Sequence, residues 1–95
     1  MLDSAQVPEL HAQVATRVVD GQAIIVLADS GEVTVLNETG THIWEWIDGK
    51  HSVAEIAACL STRYALPLTT ALSDTEEFLQ RLVDVKALIL RDEAA

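Results

Sequence analysis

The chain has 95 residues, enough for one domain with a modest core and too few for two. At 49% hydrophobic and 22% charged it has the composition of a folded domain, which excludes a disordered tail. Fifteen acidic residues face six scattered basic ones (Arg17, Lys50, Arg63, Arg81, Lys86 and Arg91), for a net charge of −9. Such a chain lacks the clustered cations that neutralise a DNA backbone or an anionic membrane, so neither nucleic acid nor membrane is expected as a partner.

Residues 1–12 carry Pro8 and no periodicity, and are read as a flexible or loosely docked arm. Met1-Leu2-Asp3-Ser4 has neither a basic nor an apolar stretch of the kind a signal peptide needs. No apolar run approaches the roughly 18 residues that cross a bilayer. With a lone Cys59 and no internal disulfide possible, the expected compartment is the cytoplasm.

A short alternation over 13–19 suggests a first strand, and Asp20-Gly21 a turn. The β-branched run Ala23–Ala28 is the clearest strand, Asp29-Ser30-Gly31 turns the chain again, and Glu32–Leu36 completes an antiparallel meander. Thr34 and Leu36 face one way, Val33 and Val35 the other, so both faces of this strand are partly apolar.

The period then changes from two to 3.6. Asn37 is a good N-cap, and Gly40, Ile43, Trp44 and Ile47 share one helical face until Asp48-Gly49. Ser52 and Glu55 form a capping box for a second helix with a stripe of Val53, Ile56, Ala57, Leu60 and Tyr64, broken at Leu66-Pro67-Leu68. A third helix is expected from about Thr70 to Lys86, seamed by Ala71, Thr75, Phe78, Leu82 and Val85; a second capping pattern at Ser73–Glu76 leaves a later start open. Residues 87–90 close the chain as a short strand or a further helical turn, ahead of a tail over 91–95.

Three strands followed by three single-striped helices predict an α+β fold, a three-stranded antiparallel sheet followed by a three-helix bundle in a winged helix-turn-helix arrangement over residues 13–90.

Little here points to catalysis. His11, His42 and His51 show no HxxxH or CxxC partner, so no metal site is expected. Cys59 sits between Ile56 and Leu60 without a neighbouring base and reads as a small buried thiol. Phosphate-loop patterns are absent, and Glu76-Glu77 reads as a solvated helix face. The expectation is no enzyme, no cofactor and no metal.

Two features call for a binding explanation. Trp46 points roughly 200° from the Trp44 face, so it either packs under the N-terminal arm or is a contact residue. The strand over 32–36 lies on the outside of the meander with only Glu32 charged and no proline or lysine to guard it. That edge is suited to accept an added strand; it is equally suited to being covered by the chain's own C-terminal segment or by a second copy.

Gly31-Glu32-Val33-Thr34-Val35-Leu36-Asn37-Glu38-Thr39-Gly40, then Ile43-Trp44-Glu45 and Asp48-Gly49, resembles the PqqD family. The likeness continues through Val53, Glu55-Ile56, Leu60 and Tyr64 to Ala71, Asp74, Phe78-Leu79 and Leu82. It departs at Lys86, where glycine often ends the third helix, at Pro67-Leu68, which replace an acidic-proline pair, and at Thr75, which replaces a valine.

The resemblance implies a recognition element for ribosomally synthesised, post-translationally modified peptides. The precursor's leader segment adds to the third strand of the meander, along Val33, Thr34, Val35 and Leu36, and lies against the third helix. Asp74, Glu77, Phe78 and Arg81 are the expected selectivity residues there, the two carboxylates suiting a basic leader side chain. The partner enzyme is then a radical SAM protein, as in pyrroloquinoline quinone biosynthesis, or a leader protease, as in lasso-peptide pathways. Its oligomeric state, monomer or dimer, stays open. The alternatives are a winged-helix DNA-binding regulator, disfavoured by the charge, and a structural dimeric interaction subunit.

Overall fold

The computed structural model describes residues 3–92, in the order β1 (Val7–Leu10), β2 (Val14–Val19), β3 (Gln22–Leu27), β4 (Val33–Val35), α1 (Glu38–Glu45), α2 (Val53–Tyr64), α3 (Leu68–Asp84) and β5 (Leu88–Arg91). The fold is α+β: β2-β3-β4 form a three-stranded antiparallel meander, followed by the three helices. Asp20 (φ 52°) and Gly21 (φ 77°) supply the two positive-φ residues that a tight hairpin between β2 and β3 needs.

Where the sequence suggests a flexible or loosely docked arm over 1–12, residues 7–10 form a paired strand; residues 1–2 lie outside the described residues. β1 pairs antiparallel with β5, with Pro8 opposite Leu90. His11 N donates to Ala87 O at 2.9 Å, and this fixes which positions of the ladder exchange hydrogen bonds. By alternation Pro8 falls at a non-bonded position, so its missing N–H costs the ladder nothing. Ahead of β1, Gln6 O and Ser4 O accept from Val53 N and Ala54 N, both at 2.9 Å. These satisfy two of the N–H groups that the first turn of α2 leaves unpaired. The tail expected from residue 91 is shorter than drawn, because Arg91 still belongs to β5 and its guanidinium donates to Gly49 O; residues 93–95 lie outside the described residues.

The helices start and stop on local chemistry. Asn37 Oδ1 accepts from Gly40 N at 2.8 Å, and Ser52 and Glu55 form a complete capping box. α3 starts earlier than expected, directly after Pro67, whose extended backbone (φ −57°, ψ 142°) ends one segment and launches the next; Ser73–Glu76 are therefore interior. It ends in a Schellman motif: Lys86 at φ 63°, Lys86 N donating to Val83 O at 3.0 Å and Ala87 N to Leu82 O at 2.8 Å. A lysine thus occupies the left-handed position usually given to glycine.

The core lies between one face of the meander and the helices. Ala23, Ile25, Leu27 and Leu36 pack with Ile43 and Trp44 of α1, Ile56 and Leu60 of α2, and Ala71, Leu79 and Leu82 of α3. Thr75 is fully buried among the latter, whereas Val85, expected in the seam, is exposed. At the join of sheet and helices, Thr41 Oγ1 accepts from Ala23 N at 2.9 Å and donates to Leu36 O at 3.4 Å. The hydroxyl bridges the last rung of the β3–β4 ladder where the chain swings into α1. Trp44 Nε1 donates to Thr16 Oγ1 at 3.0 Å, tying α1 to β2.

Candidate functional site

β4 pairs on one side only. Its partners on β3 are Ile24 with Val35, Ile25 with Thr34 and Val26 with Val33; on the other side no strand pairs with it among the described residues. The C-terminal segment that could have covered this edge is engaged with β1. Charge, proline and bulges, the usual means of blunting such an edge, are absent from Val33-Thr34-Val35.

The direction of each backbone group follows from two hydrogen bonds flanking the strand. Leu36 N donates to Ala23 O at 2.8 Å, and Leu27 N donates to Glu32 O at 2.9 Å. In an antiparallel ladder the bonded pairs recur every second residue, so Thr34 turns its N–H and C=O inward to Ile25. Val33 and Val35 then turn theirs outward, to the open edge. An incoming strand would meet two donors and two acceptors at alternate positions.

The expected selectivity residues lie on one stripe of α3, since 74, 77, 78 and 81 are spaced by three and four. Phe78 reaches Gly40 of α1, just past the end of β4: a Cβ on Gly40 would lie 3.1 Å from Phe78 Cε1, 3.2 Å from Asn37 Oδ1 and 3.4 Å from Leu36 Cβ. The glycine therefore makes room for a ring from α3 as well as for the sheet. Phe78 is half-buried, while Asp74, Glu77 and Arg81 are exposed. Glu77 and Arg81 pair with each other at 2.5 Å along the helix, so a basic ligand side chain would compete with Arg81 for that carboxylate. Leu36 is buried and forms part of the floor rather than of the accessible edge.

Outside this region, Trp46 is half-buried. Its ring stacks on His42 at 6.1 Å, and it borders a shallow hollow with Ala58, Cys59, Thr62 and Arg63 on α2. Cys59 is half-buried, not enclosed. Asp48 organises the α1–α2 turn: Oδ1 accepts from His51 N at 3.0 Å and Lys50 N at 2.8 Å, and Oδ2 meets His51 Nδ1 at 2.9 Å. Those backbone donors hold its carboxyl well below the ordinary value, at about 2. Among the described residues no cluster of three His, Cys, Asp or Glu is arranged to hold a metal ion, and no helix is long and apolar enough to cross a membrane.

The family model described as coenzyme PQQ synthesis protein D (PqqD) matches residues 22–88, from β3 to the start of β5. The chain belongs to the PqqD family. No curated protein matches it. Several solved structures share the PqqD-like fold. TbiB1 in complex with the TbiA(beta) leader peptide superposes with a TM-score of 0.79 at 20% identity, covering 84% of this chain and 93% of that one. A lasso peptide synthetase B1 complexed with its leader peptide gives 0.78 at 23%, covering 86% and 96%. The PqqD truncation of Methylobacterium extorquens PqqCD, described as a stand-alone recognition element for ribosomally synthesised and post-translationally modified peptides, gives 0.77 at 19%, covering 94% and 95%.

Thr41 and the β1–β5 ribbon are the structural parts that sequence reasoning misses. The hydroxyl of a threonine near a helix start carries no signal that it will bridge a sheet rung, and β1 exists only through its distant partner.

Proposed function

We propose that this PqqD-family chain is a non-catalytic recognition module that binds the leader segment of a ribosomally synthesised precursor peptide and presents it to a modifying enzyme or leader protease. The leader would add as a strand to β4, bonding to the outward groups of Val33 and Val35. Phe78 would flank it, with Asp74, Glu77 and Arg81 reading its side chains. The observation that carries this reading is the open, unguarded edge of β4. The fold supports it, because two chains that share it were solved with leader peptides.

The enzyme would be a radical SAM protein or a protease, and the cytoplasm the site of action. A net charge of −9 weighs against the DNA-binding alternative that the same fold permits.

Titration calorimetry of the chain against the leader half and the core half of its precursor tests the reading. The expected result is 1:1 binding of the leader half with a negative heat-capacity change, since strand addition buries apolar surface. Equal binding of both halves, or binding of neither, refutes it.

A further inference from the structure

The meander has a second open edge, β2, on the side away from β4. Among the described residues β2 pairs with β3 alone. Ala28 N donates to Gln13 O at 3.1 Å, which continues that ladder by one rung and sets its phase. Ala15, Arg17 and Val19 therefore bond to β3, while Thr16 and Val18 turn their N–H and C=O groups outward. The side chains of Thr16 and Val18 lie on the helix side of the sheet, opposite the buried Ile25 and Ala23. Thr16 meets α1 through Trp44 Nε1. Val18 is 50% exposed, over a hollow of about 460 Å³ between the β2–β3 hairpin and α1. Asp20, Gln22, Glu38, Thr41, His42 and Glu45 line the hollow, and none of the six Lys and Arg residues does. Arg17, the one charge on β2, points to the outer face, so neither charge nor proline guards this side of the edge. An open strand edge beside a helix, with space between them, is a geometry that accepts an added strand.

We propose that the β2 edge and the hollow beside α1 form a second strand-binding groove, whose occupant is an extended, basic segment of a partner protein. The occupant's backbone bonds to the outward groups of Thr16 and Val18. Its side chains opposite those two residues fall on the helix side, over the hollow. Asp20, Glu38 and Glu45 present three carboxylates there, and His42 is the only lining residue able to carry positive charge. His42 stands 3.9 Å from both Glu38 and Glu45. A lysine or arginine at that position is attracted and a carboxylate repelled, which selects a basic segment. A second copy of this chain does not supply one. Pairing β2 with β2 through the outward groups sets Val14, Thr16 or Val18 of the copy opposite Val18, and turns Arg17 of both copies to the outer face. A strand on β4 would lie four strand spacings away, roughly 19 Å, so both edges can be filled at once. The β2 groove stands on its own geometry and does not require a leader on β4.

The test uses the full chain and a capped hexapeptide in which valine alternates with threonine, lysine and threonine, so that one face of the added strand carries the cation. A second peptide has glutamate in place of the lysine. Binding is followed by backbone amide chemical shifts at low ionic strength, where exposed charges are least screened. The lysine peptide should shift the amides of Thr16, Val18 and Gln22 and those of α1, and bind at least fivefold more tightly than the glutamate peptide. Glu38→Gln/Glu45→Gln, at two exposed positions of α1, should fold like the parent and lose at least half of that preference. The precursor's leader, added to saturation, should leave these shifts in place. Shifts confined to residues 33–35 and α3, no shifts at all, or equal binding of the two peptides overturn the proposal and leave the leader reading intact. An unchanged preference in the double variant, or displacement by the leader, also overturns it. So does a parent that is dimeric by light scattering and dispersed by the lysine peptide, in favour of a second copy. If the leader fails to bind anywhere, the earlier reading falls while the result at β2 stands by itself.

Discussion

Replacing Thr75 by valine should stabilise the protein. Thr75 is fully buried on α3, and its Oγ1 has no hydrogen-bond partner. A buried hydroxyl without a partner costs about 1–3 kcal/mol, and valine has nearly the same shape and a similar helix propensity. Taking the low end, because a threonine hydroxyl in a helix can relax toward the carbonyl a turn back, Thr75→Val should gain about 1 kcal/mol. For a domain of this size that raises Tm by roughly 4–8 °C. Thr75→Ser keeps the hydroxyl and removes a methyl, so it should lose about 0.8 kcal/mol or more. Thermal and urea unfolding of the two variants beside the parent measure both effects. A destabilised Thr75→Val would mean that the hydroxyl is bonded in solution and that the core is wrongly described at this point.

Trp44→Ala should cost about 3–5 kcal/mol by emptying a buried aromatic site, whereas Trp44→Phe isolates the indole bond to Thr16; a Trp44→Ala melt like the parent's would contradict the core described above. Lys86→Gly should gain about 1 kcal/mol, because Lys86 holds φ 63°, read as a higher urea midpoint. Asp48 has a folded pKa of about 2, below the ordinary 3.8, so its stabilising effect is complete above about pH 4 and lost as pH falls from there through 2. Asp48→Asn should flatten that part of the pH–stability profile, and an unchanged acid limb would refute the assignment.

Much of this was legible beforehand where local chemistry decides. Asn37 and Ser52-Glu55 announce two helix starts through side chains that bond their own turns, and the β-branched run at 23–28 announces the central strand. Long-range pairing was not legible. β1 contains a proline and a glutamate and has no period; it becomes a strand because Leu88–Arg91 comes alongside. Ser73–Glu76 imitate a capping box, but Pro67 sets the start of α3 six residues earlier. For the site, the sparsely charged outer strand over 32–36 could be read, but not whether the chain's own C-terminal segment covers it, nor the direction of its N–H groups. That depends on the register with β3, fixed by the bond from Leu36 to Ala23.

The same register makes the central claim testable with two prolines. Val35 N–H points to the open edge and Thr34 N–H into the sheet, so on the proposed reading Val35→Pro removes a donor that would meet the leader, whereas Thr34→Pro removes a rung of the fold. Circular dichroism with a leader titration on both variants is the most direct measurement. Val35→Pro should fold like the parent and bind the leader at least tenfold more weakly, while Thr34→Pro should lose sheet structure. A folded Val35→Pro that binds the leader as the parent does would contradict strand addition at β4.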